Sequence, residues 1–157
     1  MLLNLFIFGI NSLFILCAEQ SLHLFSHNKK SGPLYRWHKL HHIDYPPNRV
    51  QSDKYINSGD GHIFENLFFY CIVLVQVIVY NLTSFKTFTM FFLQSSTYSI
   101  LVNYFHIQYH LKNSYYNRYA WFRKRRDYHL LHHKNKKYNY AFLTNSFDKV
   151  SQTYIES

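Results

Sequence analysis

The chain has 157 residues, which is room for one domain and too short for a multi-domain enzyme. Hydrophobic residues make up 48 % of it and aromatics 20 %, while Gly and Pro number only 4 and 3, so loops are few or are built from other residue types. The net charge of +9 raises nucleic acid or a membrane surface as partners, and two cysteines, Cys17 and Cys71, are too few and too far apart for a disulfide framework or a thiolate zinc site.

The slightly negative mean hydropathy suits a soluble protein, but it averages unlike blocks. Residues 1–18 carry no charge, and the apolar pattern runs on through Leu22, Leu24 and Phe25. Leu16-Cys17-Ala18 is small enough at its end for signal cleavage, yet the first ten residues hold no Lys or Arg, so the segment at about 1–25 is read as a retained membrane helix. Residues 27–60 are polar and basic. A second apolar run spans about 63–80 with Glu65 its single charge, and a third spans about 85–105 with Lys86 at its start. Each approaches the roughly 20 residues that cross a bilayer as a helix, and the last two, joined by Asn81–Ser84, read as a membrane hairpin. Gln94, Ser95, Ser96, Thr97 and Ser99 give the third run a polar middle, which suits a helix shielded by its neighbours or a re-entrant one. Residues 106–157 form the second polar, basic segment.

Fifteen of the 17 Lys and Arg residues fall in 29–54 and 112–137. The positive-inside rule then puts both segments in the cytoplasm, as three spans with an outside N-terminus require. The basic run Arg123-Lys124-Arg125-Arg126 is read as a contact for anionic headgroups, and no nucleic-acid partner is expected. Trp37 and Trp121 fit an interfacial aromatic belt. Cys17 and Cys71 are read as inert packing, and Glu65 as a complement to a helix dipole.

Histidine is the commonest metal ligand, and this chain has 11. His23 and His27 form H-x3-H at the end of the first apolar run, and His106 and His110 repeat it at the end of the third. His38, His41 and His42 form H-x2-H-H, repeated by His129, His132 and His133. The order yields two matched sets of five, leaving only His62, which is read as a loop or interface residue. On a helix, residues three and four apart share a face, so the spacing converges imidazoles. At this histidine frequency a single H-x2-H-H arises by chance about 0.05 times in such a length, and two about 0.001 times. Imidazole suits iron, zinc, copper or nickel, and a carboxylate-poor site disfavours magnesium and calcium. Asp44 and Asp127, each within two residues of a triplet, either orient ring N–H groups or balance nearby lysines, the second being the expected role. Pro46-Pro47 gives the first triplet's helix an extended exit.

The order H-x3-H, H-x2-H-H, hairpin, H-x3-H, H-x2-H-H resembles the fatty acid hydroxylase/sterol desaturase superfamily of membrane-bound di-iron oxygenases. Leu34-Tyr35-Arg36-Trp37-His38-Lys39-Leu40-His41-His42 is similar to that family's lead-in to its first triplet. Asn139-Tyr140-Ala141, Phe147-Asp148-Lys149-Val150 and Thr153-Tyr154 are similar to its C-terminal block, with Ala141 in place of the usual glycine, Phe147 of a tryptophan and Ser151-Gln152 of a Phe-Gly pair. The likeness runs from about His23 to Tyr154. It implies an all-α integral membrane protein of one domain (1–157), a histidine-rich cap on the cytoplasmic side and, in a eukaryote, residence in the endoplasmic reticulum. It further implies that the ten clustered histidines hold two iron ions, with zinc a possible substitute, and that O2 serves as co-substrate. The expected reaction is hydroxylation or desaturation of a fatty acyl or sterol-type lipid. Electrons are expected from a separate donor such as cytochrome b5 and its reductase, since no heme-domain pattern occurs in the chain. Two other readings compete: a non-catalytic zinc-binding or structural membrane protein, and a metal-free basic adaptor on the membrane surface.

Overall fold

The computed structural model describes residues 2–56, 67–142 and 144–156. His62 and Glu65, with the start of the second apolar run, lie outside the described residues. The described residues form six helices: α1 (Leu2–Ser26), α2 (Pro33–Asp44), α3 (Leu67–Leu82), α4 (Phe85–Tyr109), α5 (Ala120–Lys134) and the short α6 (Ser146–Val150). Single 3-10 turns occupy Lys29–Ser31 and Tyr115–Arg118. Among the described residues the only β-pairing is one parallel bridge, Ser52 to Leu111.

α1 has 25 residues, about 37 Å at 1.5 Å per residue, which exceeds a hydrocarbon core of about 30 Å. Leu2, Leu3, Leu5, Phe6, Phe8, Ile10, Leu13 and Phe14 are exposed along it, whereas Ile15, Glu19, Gln20, His23 and Ser26 are buried. It is the one described helix whose length and apolar character suffice to cross a membrane. α3 is apolar but shorter, and α4 is long enough yet too polar in its middle.

That polar middle has partners. From α3, the Gln76 amide donates to Ser95 Oγ (2.8 Å) and Ser96 Oγ (3.1 Å). From α4, the Gln94 amide donates to the Phe8 carbonyl (2.9 Å) and Ser12 Oγ (2.5 Å) on α1. α4 thus packs between α1 and α3 with its polar groups turned to neighbours, as an apolar surround demands. Its start is capped by Ser84 Oγ, which accepts the Thr87 N–H.

α2 begins where Gly32 takes φ +63° and Pro33 fixes the first helical φ. It ends at Tyr45 because the residue before a proline is driven out of the α region. Pro46 then opens a turn closed by the Arg49 N–H on its carbonyl (2.8 Å), rather than an extended exit. The turn brings residues 50–52 alongside the C-terminus of α4, where Ser52 N–H donates to His110 O (2.9 Å) and Lys112 N–H to Ser52 O (3.0 Å). The C-terminal ends of α1 and α4 and the helices α2 and α5 therefore meet at one end of the bundle, bringing every clustered histidine there.

Candidate metal centre

Each clustered histidine lies on, or one residue beyond, a helix, so spacing decides direction. Residues four apart on a helix differ by about 40° around its axis, and residues three apart by about 60° the other way. In each H-x2-H-H the first and last histidines consequently stay together while the middle one turns aside by about 100° from the last. The structure follows that rule. His23, His27, His38, His42 and His132 form one group and His41, His106, His110, His129 and His133 a second, with the candidate nitrogens of each within 4.8 Å of one another. The sequential sets are corrected in one respect: His41 crosses to the group of the second set and His132 to that of the first. All four i, i+4 pairs stay whole.

Within the groups the Nε2 atoms face each other. Nε2 of His38 lies 3.1 Å from that of His23, 2.8 Å from that of His27 and 3.0 Å from that of His42. His27 and His132 approach to 3.0 Å. In the second group the separations are 3.1 Å for His41 and His133, 3.0 Å for His41 and His106, and 2.9 Å for His110 and His129. The opposite ring nitrogen of four histidines donates to a backbone carbonyl. His23 Nδ1 bonds to Tyr140 O, His132 Nδ1 to Tyr138 O (2.7 Å), His110 Nδ1 to Val50 O (2.8 Å) and His133 Nδ1 to Tyr45 O (2.9 Å). A carbonyl only accepts, so these rings carry their proton on Nδ1 and turn an Nε2 lone pair inward.

Hydrogen bonding among the rings does not satisfy this arrangement. His38 Nε2 meets three nitrogens and has at most one proton to offer. A cation does satisfy it. With metal–nitrogen bonds of 2.0–2.1 Å, neighbouring ligands at 90° sit about 2.8–3.0 Å apart and tetrahedral ones about 3.3–3.4 Å. The seven separations above, 2.8–3.1 Å, match the right-angled case. The residues present fit two metal ions, each with up to five imidazole ligands.

Burial also prepares the ligands. It pushes His27 down to about 3, with the neighbouring His23 and Lys136 adding to the effect, and His110 down to about 4. His38, His41, His42, His129, His132 and His133 are likewise held well below the ordinary histidine range, first by burial and then by repulsion from surrounding imidazoles. Neutral imidazole is the form that binds metal.

Asp44 and Asp127 do not orient the rings. Asp127 pairs with Arg126 at 2.8 Å, and Asp44 Oδ2 is buried with no hydrogen-bond partner. Carbonyls take the orienting role, and they carry no sequence signature. Sequence reasoning also passed over three aromatic covers. Tyr45 is fully buried and stacks on His110 at 4.0 Å between ring centres. Phe142 stacks on His23 at 4.9 Å and lies 5.0 and 5.1 Å from His106 and His129. Tyr140 lies against His23, His27 and His132. Glu19 was passed over as well, although its place one turn before His23 within an apolar run was the available signal.

The C-terminal block closes the centre. Asn139 takes φ +56°, a conformation asparagine tolerates, and its amide oxygen accepts the Ile155 N–H (3.0 Å). Asp148, fully buried, accepts the N–H groups of Tyr140 and Ala141, each at 2.9 Å, and the hydroxyl of Thr153 at 2.8 Å.

The profile of the fatty acid hydroxylase family matches residues 10–153. No curated protein and no solved structure matches the chain significantly. The matched stretch contains all four histidine clusters.

Proposed function

The chain belongs to the fatty acid hydroxylase family, and from that membership we propose that it is a membrane-bound non-heme di-iron oxygenase acting on a lipid. The observation that carries the reading is the convergence of ten histidines into two five-nitrogen groups. Family membership and the α1 span candidate together point to a membrane protein. Iron bound there would supply redox chemistry with O2 at an unactivated C–H bond, using electrons from an external donor such as cytochrome b5 and its reductase.

The chain's own residues do the rest. The His23, His110, His132 and His133 rings are held by carbonyls so that their lone pairs are presented without rearrangement. Tyr45, Tyr140 and Phe142 cover the groups with aromatic surface and keep water away from them. In this reading α1, α3 and α4 are three spans with the histidine end toward the cytoplasm, where most of the basic residues lie. An acyl or sterol-type substrate then approaches from the lipid while the donor docks from the aqueous side. Hydroxylation and desaturation differ only in whether oxygen is inserted or a second hydrogen removed. Five converging nitrogens per group exceed the four ligands of a closed tetrahedral zinc site, which supports this reading over a structural zinc protein.

Expression in a host with a compatible reductase, followed by untargeted lipid mass spectrometry, tests the proposal. The expected result is a lipid that gains one oxygen or loses two hydrogens, absent with His132→Ala or His41→Ala. Unchanged turnover in those variants, or fewer than one metal per chain after iron reconstitution, refutes it.

A further inference from the structure

Glu19 is a carboxylic acid inside the α1 span candidate, and only 1 % of its surface is exposed. An ionisable group at such a position is costly, and an apolar residue would pack there at no such cost. It is four residues before His23, so both occupy one face of the helix. Its two oxygens are engaged on different elements. Oε2 accepts the Tyr98 hydroxyl from α4 at 2.6 Å, and Oε1 accepts the Phe142 N–H at 2.5 Å.

The second bond is the informative one. Asp148 already holds the N–H groups of Tyr140 and Ala141, so two carboxylates from opposite ends of the chain grip three consecutive backbone amides. Phe142 is the end of that gripped segment, and its ring touches His23 of one histidine group and His106 and His129 of the other. Asp148 fixes where the segment starts. Glu19 fixes where Phe142 ends up.

We propose that Glu19 is a positioning residue that, through the Phe142 N–H, holds the Phe142 ring across both histidine groups and so governs how readily they exchange metal with solvent. This rests on the reading that the groups hold metal, but not on the lipid reaction.

The test uses the full chain in detergent, loaded with Co(II), and follows extraction by EDTA through the visible absorption of the bound ion. Glu19→Met removes the acceptor at similar length and is expected to speed extraction about tenfold or more, as loss of a supporting contact around a metal does. Phe142→Ala is expected to do the same. The double variant should be no faster than Phe142→Ala alone, since one residue acts through the other. Glu19→Gln should restore the wild-type rate, because its amide oxygen takes the Phe142 N–H and its amide nitrogen donates to Tyr98. Wild-type extraction in Glu19→Met, or effects that multiply in the double variant, overturns the proposal. If Glu19→Met yields no folded protein, Phe142→Ala carries the test, and a wild-type rate there overturns it equally. A wild-type chain that binds no Co(II) overturns the metal reading with it, whereas bound metal with an unmoved rate overturns this inference alone.

Discussion

His41 and His42 are neighbours in sequence, and the structure assigns them to different metal groups. Replacing each by alanine should therefore weaken different sites. His41→Ala removes one of five nitrogens from the group of His106, His110, His129 and His133, and leaves the other group with all five. Loss of one imidazole, with water entering in its place, should cost that site about a hundredfold in affinity or more, since even outer contacts are worth 10–100-fold. A hundredfold is about 2.8 kcal/mol. At limiting metal the stoichiometry should fall from two ions per chain toward one. The assay is a Co(II) titration of the full chain in detergent for single and paired alanine variants. Pairing His41→Ala with His106→Ala should give little further change in stoichiometry, because both strike one site. Pairing it with His23→Ala should remove both ions, because the losses fall on separate sites and add. His42→Ala should show the opposite pattern. If His41→Ala and His42→Ala both act with His23→Ala as one site, the crossed assignment is wrong.

Acid should destabilise the metal-free chain. His27 is held at about 3 and His110 at about 4, against about 6.5 when unfolded, so between those values the unfolded chain binds more protons. The stability they give is complete above about pH 6.5 and falls with pH by up to about 1.4 kcal/mol per pH unit for each histidine; a flat unfolding temperature between about pH 7 and 5 refutes the neutral assignment. Asp148→Ala strands the N–H groups of Tyr140 and Ala141 and takes one partner each from the side chains of Gln20 and Thr153. It should cost about 3 kcal/mol or more, seen as a lower unfolding temperature in detergent, with Asp148→Asn intermediate. Gln76→Leu removes the bridge from α3 to Ser95 and Ser96; a loss of about 1 kcal/mol is expected in detergent unfolding of the full chain, and an unchanged curve refutes the bridge.

The parts of this molecule readable in its sequence are those fixed by local geometry. Apolar runs and helix periods place α1, α3 and α4 to within a few residues, because burial and backbone satisfaction leave few alternatives. α4 runs four residues past the expected end at 105, which carries His106 onto the same helix as the polar seam. The histidine clusters were legible because four-residue spacing sets a common face whatever surrounds it. The grouping was less so. His38, His41 and His42 suggest one ligand trio by proximity in sequence, and only the angular bookkeeping of the helix separates the middle member. What stayed invisible depends on chain segments far apart in sequence: the carbonyls of Tyr45 and Val50 on His133 and His110, the Phe142 ring, and the Glu19 bond across 123 residues. Asp44 and Asp127 illustrate the converse, since nearness in sequence to a triplet gave neither of them a hydrogen bond to its rings.

The crossing of His41 and His132 has a consequence for assembly. One group draws on the C-terminal end of α1, on α2 and on α5; the other draws on α4, α5 and α2. α1 and α4 each serve one group, whereas α2 and α5 each serve both. Had each triplet stayed with its own H-x3-H pair, the two halves of the chain could have formed separate sites joined only by a hairpin. With the middle histidines exchanged, neither group is complete until α2 and α5 have both delivered their histidines, and displacing either helix opens both groups at once. The carbonyl donors follow the same logic, because His132 and His133, adjacent on α5, are held by Tyr138 on one side and Tyr45 on the other. Loss of a single ligand therefore strikes one group, whereas displacement of α2 or α5 strikes both.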